Sequence, residues 1–134
     1  MLTLALLTTA LLFGGMVLYA FGFAAFLFTA LPAETAGPTI RKAFPHFYLF
    51  VLVSAAAAAA LLWPHDRLAA LLLAAIAVTT IPTRQVLMPA INAATDTGAR
   101  ARFNWLHGLS VVITLGHIGL AGYVIARFAH GAAA

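Results

Sequence analysis

Four apolar runs, parted by only a few polar residues each, confine this chain to a bilayer. They cover about residues 2–31, 44–63, 68–88 and 103–128, and about 20 residues of helix cross a hydrocarbon core. Charged residues make up 7% of the chain and hydrophobic ones 64%, where a soluble domain carries about 25% charged. The expectation is one membrane domain over residues 1–134, all-α, an integral four-helix bundle running up-down-up-down. The net charge of +4 is spread rather than clustered. It suits anionic headgroups and gives nucleic acid no basic surface. With no cysteine, disulfides, thiolate metal sites and covalent haem attachment are excluded. Only histidine, carboxylate and methionine remain as ligands.

The first run is too long for the apolar core of a signal peptide and is expected to stay as a helix. Gly14, Gly15 and Gly22 lie on it, where small residues let neighbouring helices approach. Gly116 and Gly119 play the same part in the fourth run. Pro32 ends the first helix, and residues 32–43, with Glu34, Gly37, Pro38, Arg41 and Lys42, read as a basic connecting loop. Pro45 suits the first turn of the second helix. The alanines from Ala55 to Ala60 make that helix thin enough to pack closely. A third helix stopping at Ile81 would be too short to cross. It is therefore extended to about Met88, with Pro82 and Arg84 in its last turns and Thr79 and Thr80 placed to satisfy the freed backbone. A polar loop, residues 92–102, leads to the fourth.

That fourth run carries Asn104, His107, Ser110, Thr114 and His117 at spacings of three, three, four and three. At about 100° per residue the five fall within an arc of about 140°. Hydrocarbon offers polar side chains no partner, so the stripe is expected to face inward. In a four-span bundle the ends of helices one and three and the starts of helices two and four share one side of the membrane. Glu34, His46, Thr80, Arg84, Asn104, His107 and Ser110 therefore share a depth, with His117 beneath them. They outline a candidate ligand pocket with Arg84 as its fixed positive charge. The same residues admit a structural reading: Arg84 capping helix carbonyls or binding headgroups, and Ser110 and Thr114 bonding back to their own helix.

Basic residues set the orientation. Arg41, Lys42, Arg84, Arg100 and Arg102 stand at one side against Arg67 and Arg127 at the other, which favours both termini outside the cytoplasm of a bacterial inner membrane.

Leu31-Pro32, Thr35, Gly37, Lys42 and Phe44-Pro45 form one block, Arg84 followed by Pro89 a second, and Phe103 with His107-Gly108-Leu109-Ser110 a third. With these blocks the chain resembles the transmembrane protein 205-like family, small four-helix membrane proteins of unestablished activity. The resemblance implies fold and membrane placement and supplies no reaction. It marks Arg84, His107 and Ser110 as positions where the family pattern and the inferred pocket coincide. The chain departs from that pattern in the order Phe47-Tyr48, in Thr114 where a polar amide is common, and in Ala5 and Leu18 where a histidine and a tryptophan are common.

Three functions compete. The first is a non-enzymatic accessory or assembly subunit, docked on a larger membrane complex or on further copies of itself. The second is a small transporter or ligand-binding unit using Arg84 and His107. The third is a redox protein holding haem b between His46 and His107. A two-histidine metal site completed by Glu34 is weaker, because no ligand spacing supports it. Three carboxylates in three separate loops argue against acid–base catalysis, so no enzyme and no resident cofactor are expected.

Overall fold

A computed structural model describes residues 1–132. Four long helices account for nearly all of them: α1 Leu2–Ala30, α2 Ala33–Leu62, α3 Arg67–Asp96 and α4 Arg100–Ala132. At about 1.5 Å per residue each is about 45 Å long. Each therefore reaches beyond a hydrocarbon core of about 30 Å. Neighbours in the chain are neighbours in space, and α4 closes back onto α1. The helices thus stand at four corners of an up-down-up-down ring, with α1 diagonal to α3 and α2 diagonal to α4. The protein is an integral membrane four-helix bundle.

The seams follow residue size. Ala55 and Ala58 of α2 and Ala69 and Ala70 of α3 are fully or almost fully buried, and α2 and α3 make the most extensive contact in the bundle. Leu12 and Met16 of α1, Leu73 and Ile76 of α3, and Ala121 and Val124 of α4 complete the core. Leucine, valine and phenylalanine side chains cover the outside, among them Leu7, Phe26, Val53, Leu71, Val78 and Val112. In lipid this is the ordinary arrangement, because acyl chains are as apolar as the side chains and close packing selects what lies inside. Trp63 and Trp105, both exposed, sit at opposite ends, as interfacial aromatics do.

The turns are shorter than the sequence suggests. Residues 32–43, expected as a loop, belong to α2 from Ala33 onward, and α3 runs on to Asp96 through the first half of the expected loop 92–102. Two interactions hold these extensions helical. Arg41 of α2 makes two 2.7 Å hydrogen bonds to the carboxylate of Asp96 on α3, a paired-fork geometry that fixes both ends. Gly98 then stops α3 with φ +68°. Ala99 N–H donates to Ala94 O and Gly98 N–H to Thr95 O, the hydrogen-bond pair of a glycine-terminated helix. At the other end Asp66 accepts from Ala69 N–H at 3.1 Å as N-cap of α3. Its second oxygen accepts from Arg127 Nε of α4 at 2.8 Å.

Two helices carry π-helical stretches, Leu18–Phe23 in α1 and Thr83–Leu87 in α3. Each follows a 16-residue α-helical stretch, so both lie at the same place along parallel helices. The second sits between Pro82 and Pro89, where the missing N–H groups already interrupt the regular ladder.

Candidate functional site

The helix 4 stripe divides. Ser110, Thr114 and His117 are buried, at 8–9% exposure, and Ala121 and Val124 continue their line into the core. Asn104 and His107 are exposed. For Asn104 the spacing explains it: each three-residue step turns about 300°, so two steps carry Asn104 about 120° round from Ser110. Phe103 and Leu106, both half-buried, take the inward positions in that turn. The His107 ring lies against Phe103, centroids 5.3 Å apart and 6° from parallel.

The buried hydroxyls are satisfied within their own helices. Ser110 donates to His107 O at 2.7 Å and Thr114 to Ser110 O at 2.9 Å. Thr80 donates to Ile76 O at 2.7 Å and Thr83 to Thr79 O at 2.8 Å. Thr79 and Thr80 therefore bond to Ala75 and Ile76 and not to the Val78 carbonyl that Pro82 leaves free. Among the described residues no buried side-chain polar atom lacks a partner.

His117 is different, because its bond crosses between helices. Its Nε2 lies 2.8 Å from Thr79 Oγ1 on α3. The Thr79 hydroxyl is also 2.7 Å from Ala75 O and spends its proton there. The imidazole is then the donor, carrying its proton on Nε2. Thr79 was not among the candidate site residues. Only the register of α3 against α4, which a single sequence does not contain, pairs it with His117.

Arg84 is half-buried and turned toward α2. Its Nε donates to Pro45 O at 3.2 Å and one Nη to Gln85 Oε1 at 3.3 Å. It thus takes the carbonyl-capping role at the π-helical stretch. Glu34 is exposed in the first turn of α2, where a carboxylate complements the helix dipole. His46 is exposed on α2, at the corner diagonal to α4. His46 and His107 therefore face outward on opposite corners, and the bundle does not bring them together on one iron. Nor does any group of three or more histidine and carboxylate side chains converge among the described residues.

Of the eight candidate residues, Thr80, Ser110 and His117 are buried in the bundle, Arg84 is half-buried, and Glu34, His46, Asn104 and His107 are exposed. What the structure does form is a groove of about 700 Å³ on the outer side of α1 and α2. The π-helical stretch supplies Leu18, Tyr19, Gly22 and Phe23, and α2 supplies His46, Phe47 and Phe50. A shallower hollow of about 500 Å³ shares Leu11, His46 and Phe50 and continues toward Thr8 and Ala57. Tyr19 is held by its hydroxyl on Ala43 O at 2.9 Å and stacks on Phe47, centroids 5.0 Å apart. At Gly15 a Cβ would come within 2.6 Å of the Phe50 ring, so this glycine seats the aromatic wall.

The glycines also divide. Gly15, and Gly122 facing Phe13, are occupied inside the bundle, whereas a Cβ at Gly14, Gly108, Gly116 or Gly119 would meet nothing within 4 Å. Gly122 is a packing position the sequence reading did not single out.

No curated protein and no solved structure matches the chain. A family model does match, over residues 7–100, which takes in α1 almost entirely and all of α2 and α3. On that match the chain belongs to the family defined by the domain of unknown function DUF4149.

Proposed function

We propose that the protein is a non-catalytic accessory or assembly subunit that docks on a larger membrane complex through the outer face of α4. The observation that carries this reading is the open space over Gly108, Gly116 and Gly119. With Val112, 65% exposed, they follow one another at spacings of four, four and three along one side of the helix. A glycine inside a helix costs about 0.5–1 kcal/mol relative to alanine. Within the bundle these three return nothing for that cost. A second helix approaching closely would return it, since small residues are what transmembrane contacts use. The interior accords with the same reading, because among the described residues its Ser and Thr hydroxyls donate to carbonyls of their own helices. The reading takes the basic end as cytoplasmic, by the excess of Arg41, Lys42, Arg100 and Arg102 over Arg67 and Arg127. Both termini then lie outside the cytoplasm of a bacterial inner membrane.

A benzophenone amino acid in place of Val112 should insert on irradiation into a neighbouring C–H bond in native membranes and give a discrete cross-linked product, and adding Gly116→Leu should abolish it. The same probe in place of Val78 on α3, 63% exposed, should give none. Equal cross-linking from positions 112 and 78 would refute the proposal. A product of twice the chain's mass would make the face a contact between copies instead.

A further inference from the structure

The groove between α1 and α2 lies on a different corner from the α4 face, and its chemistry points to a different occupant. Its lining is apolar, with Leu11 and Leu18 beside an aromatic wall in which Tyr19 and Phe50 are prominent. The Tyr19 hydroxyl is already spent on Ala43 O. The polar group left in the wall is the imidazole of His46. One helical turn toward the basic end stands Lys42, exposed. Lys42, His46, Leu49 and Val53 are spaced four, three and four along α2 and so share one face. Leu49 and Val53 line the same hollow as His46. The neighbouring cation, Arg41, is committed to Asp96, whereas Lys42 has no ion pair among the described residues. The hollow lined by Leu11, Leu49 and Val53 thus has an imidazole at its basic end, with an available ammonium one turn beyond.

Charge favours an anionic lipid over an apolar protein helix: the hollow runs up toward Lys42, which has no ion pair among the described residues, and a headgroup phosphate supplies its counter-charge. The π-helical stretch Leu18–Phe23 widens α1 where four of its residues line the groove, and π-turns are often retained where a helix serves a site.

We propose that this groove binds one anionic phospholipid, an acyl chain lying along Leu11, Leu49 and Val53 and the phosphate resting on Lys42 and His46. The ammonium supplies the charge complement. His46 supplies a ring N–H donor.

The test is native mass spectrometry of the full chain released from detergent, titrated with phosphatidylglycerol or phosphatidylcholine of the same acyl composition. One phosphatidylglycerol per chain should be retained in preference to phosphatidylcholine. Lys42→Ala should weaken that retention about fivefold, the worth of one basic residue at a membrane surface. Arg100→Ala, a cation at the same end but away from the groove, should leave it unchanged. Val53→Trp, which fills the hollow, should reduce retention of both lipids. Equal retention of the two lipids, or equal loss from Lys42→Ala and Arg100→Ala, would overturn the proposal. So would displacement of the lipid by inorganic phosphate alone, because the groove would then contribute nothing. Cross-linking from the benzophenone probe in place of Leu49 to a second copy or another protein in native membranes would assign the groove to a polypeptide and overturn it equally.

Discussion

The two kinds of glycine make opposite predictions for one substitution. At Gly15 a Cβ would stand 2.6 Å from two atoms of the Phe50 ring. The ring borders an open groove, so for alanine it can rotate aside. The gain of about 0.5–1 kcal/mol from replacing a helical glycine then offsets much of the strain. Leucine cannot be accommodated that way, because its branches reach into the volume the ring itself fills. Overpacking of this kind costs about 1–3 kcal/mol, leaving Gly15→Leu destabilised by up to about 2.5 kcal/mol after the helix gain. At Gly116 nothing stands within 4 Å, so Gly116→Leu keeps the helix gain alone and should be neutral to stabilising by up to about 1 kcal/mol. Unfolding of the purified variants in mixed micelles of increasing SDS fraction, followed by circular dichroism, measures both. Gly15→Leu as stable as the parent, or Gly116→Leu destabilised in the isolated protein, would refute the division into inward and outward glycines. The docking proposal would fall with the second result.

Asp66 joins the α3 cap to α4, and the two roles separate by substitution. Asp66→Ala should cost about 1 kcal/mol through the lost cap. Asp66→Asn should retain most of that cap while losing the Arg127 link, so an asparagine as harmful as alanine in the same SDS titration would contradict the assignment. The Arg127 hydrogen bond, with help from the Ala69 N–H, holds the Asp66 carboxyl below its ordinary value of 3.8. Because the folded value is depressed, its stabilisation is fully present above the ordinary value and is lost as pH falls through the folded one. The parent should therefore lose stability in acid below about pH 4 more steeply than Asp66→Asn. At the His117–Thr79 contact, Thr79→Val strands a buried imidazole N–H, whereas adding His117→Leu removes both partners. The double variant should be the more stable of the two, since an orphaned donor costs more than a deleted pair, and the pair itself is worth about 0.6 kcal/mol in a bilayer. Reversal of Asp96 to Arg should loosen the basic end, seen as faster amide exchange over residues 33–41. A second reversal, Arg41→Asp, should restore protection if the paired fork is what holds those turns.

Helix existence was legible because it depends on local quantities. Twenty apolar residues must cross, and the runs around Leu12, Val51, Leu73 and Val124 are each long enough. Helix ends were not, because what keeps residues 33–43 helical is Arg41 reaching Asp96, 55 positions away. No window along the chain contains that contact. The polar stripe was legible in part: Ser110, Thr114 and His117 face inward and Asn104 rotates out, whereas His107, about 20° from Thr114 by spacing, is exposed beside Phe103. The candidate pocket was inferred from shared depth, but depth is one coordinate of a ring of helices and angle is the other. Arg84 was expected at the level of His107, yet its guanidinium turns to Pro45 on α2 while His107 lies on the outside of α4. The same missing coordinate hid Thr79 as the partner of His117. It also hid which glycines are spent: Gly15 and Gly116 look alike in sequence, and only one of them has Phe50 above it. Such ambiguity is sharper in a membrane protein than in a soluble one. Water makes an outward apolar face costly and so writes the angle into the hydropathy pattern, whereas lipid accepts leucine on either side and leaves the angle to small residues and hydrogen bonds. The outward face of α4 and the groove between α1 and α2 carry no hydropathy signal for that reason, and it is on those surfaces that the functional proposals rest.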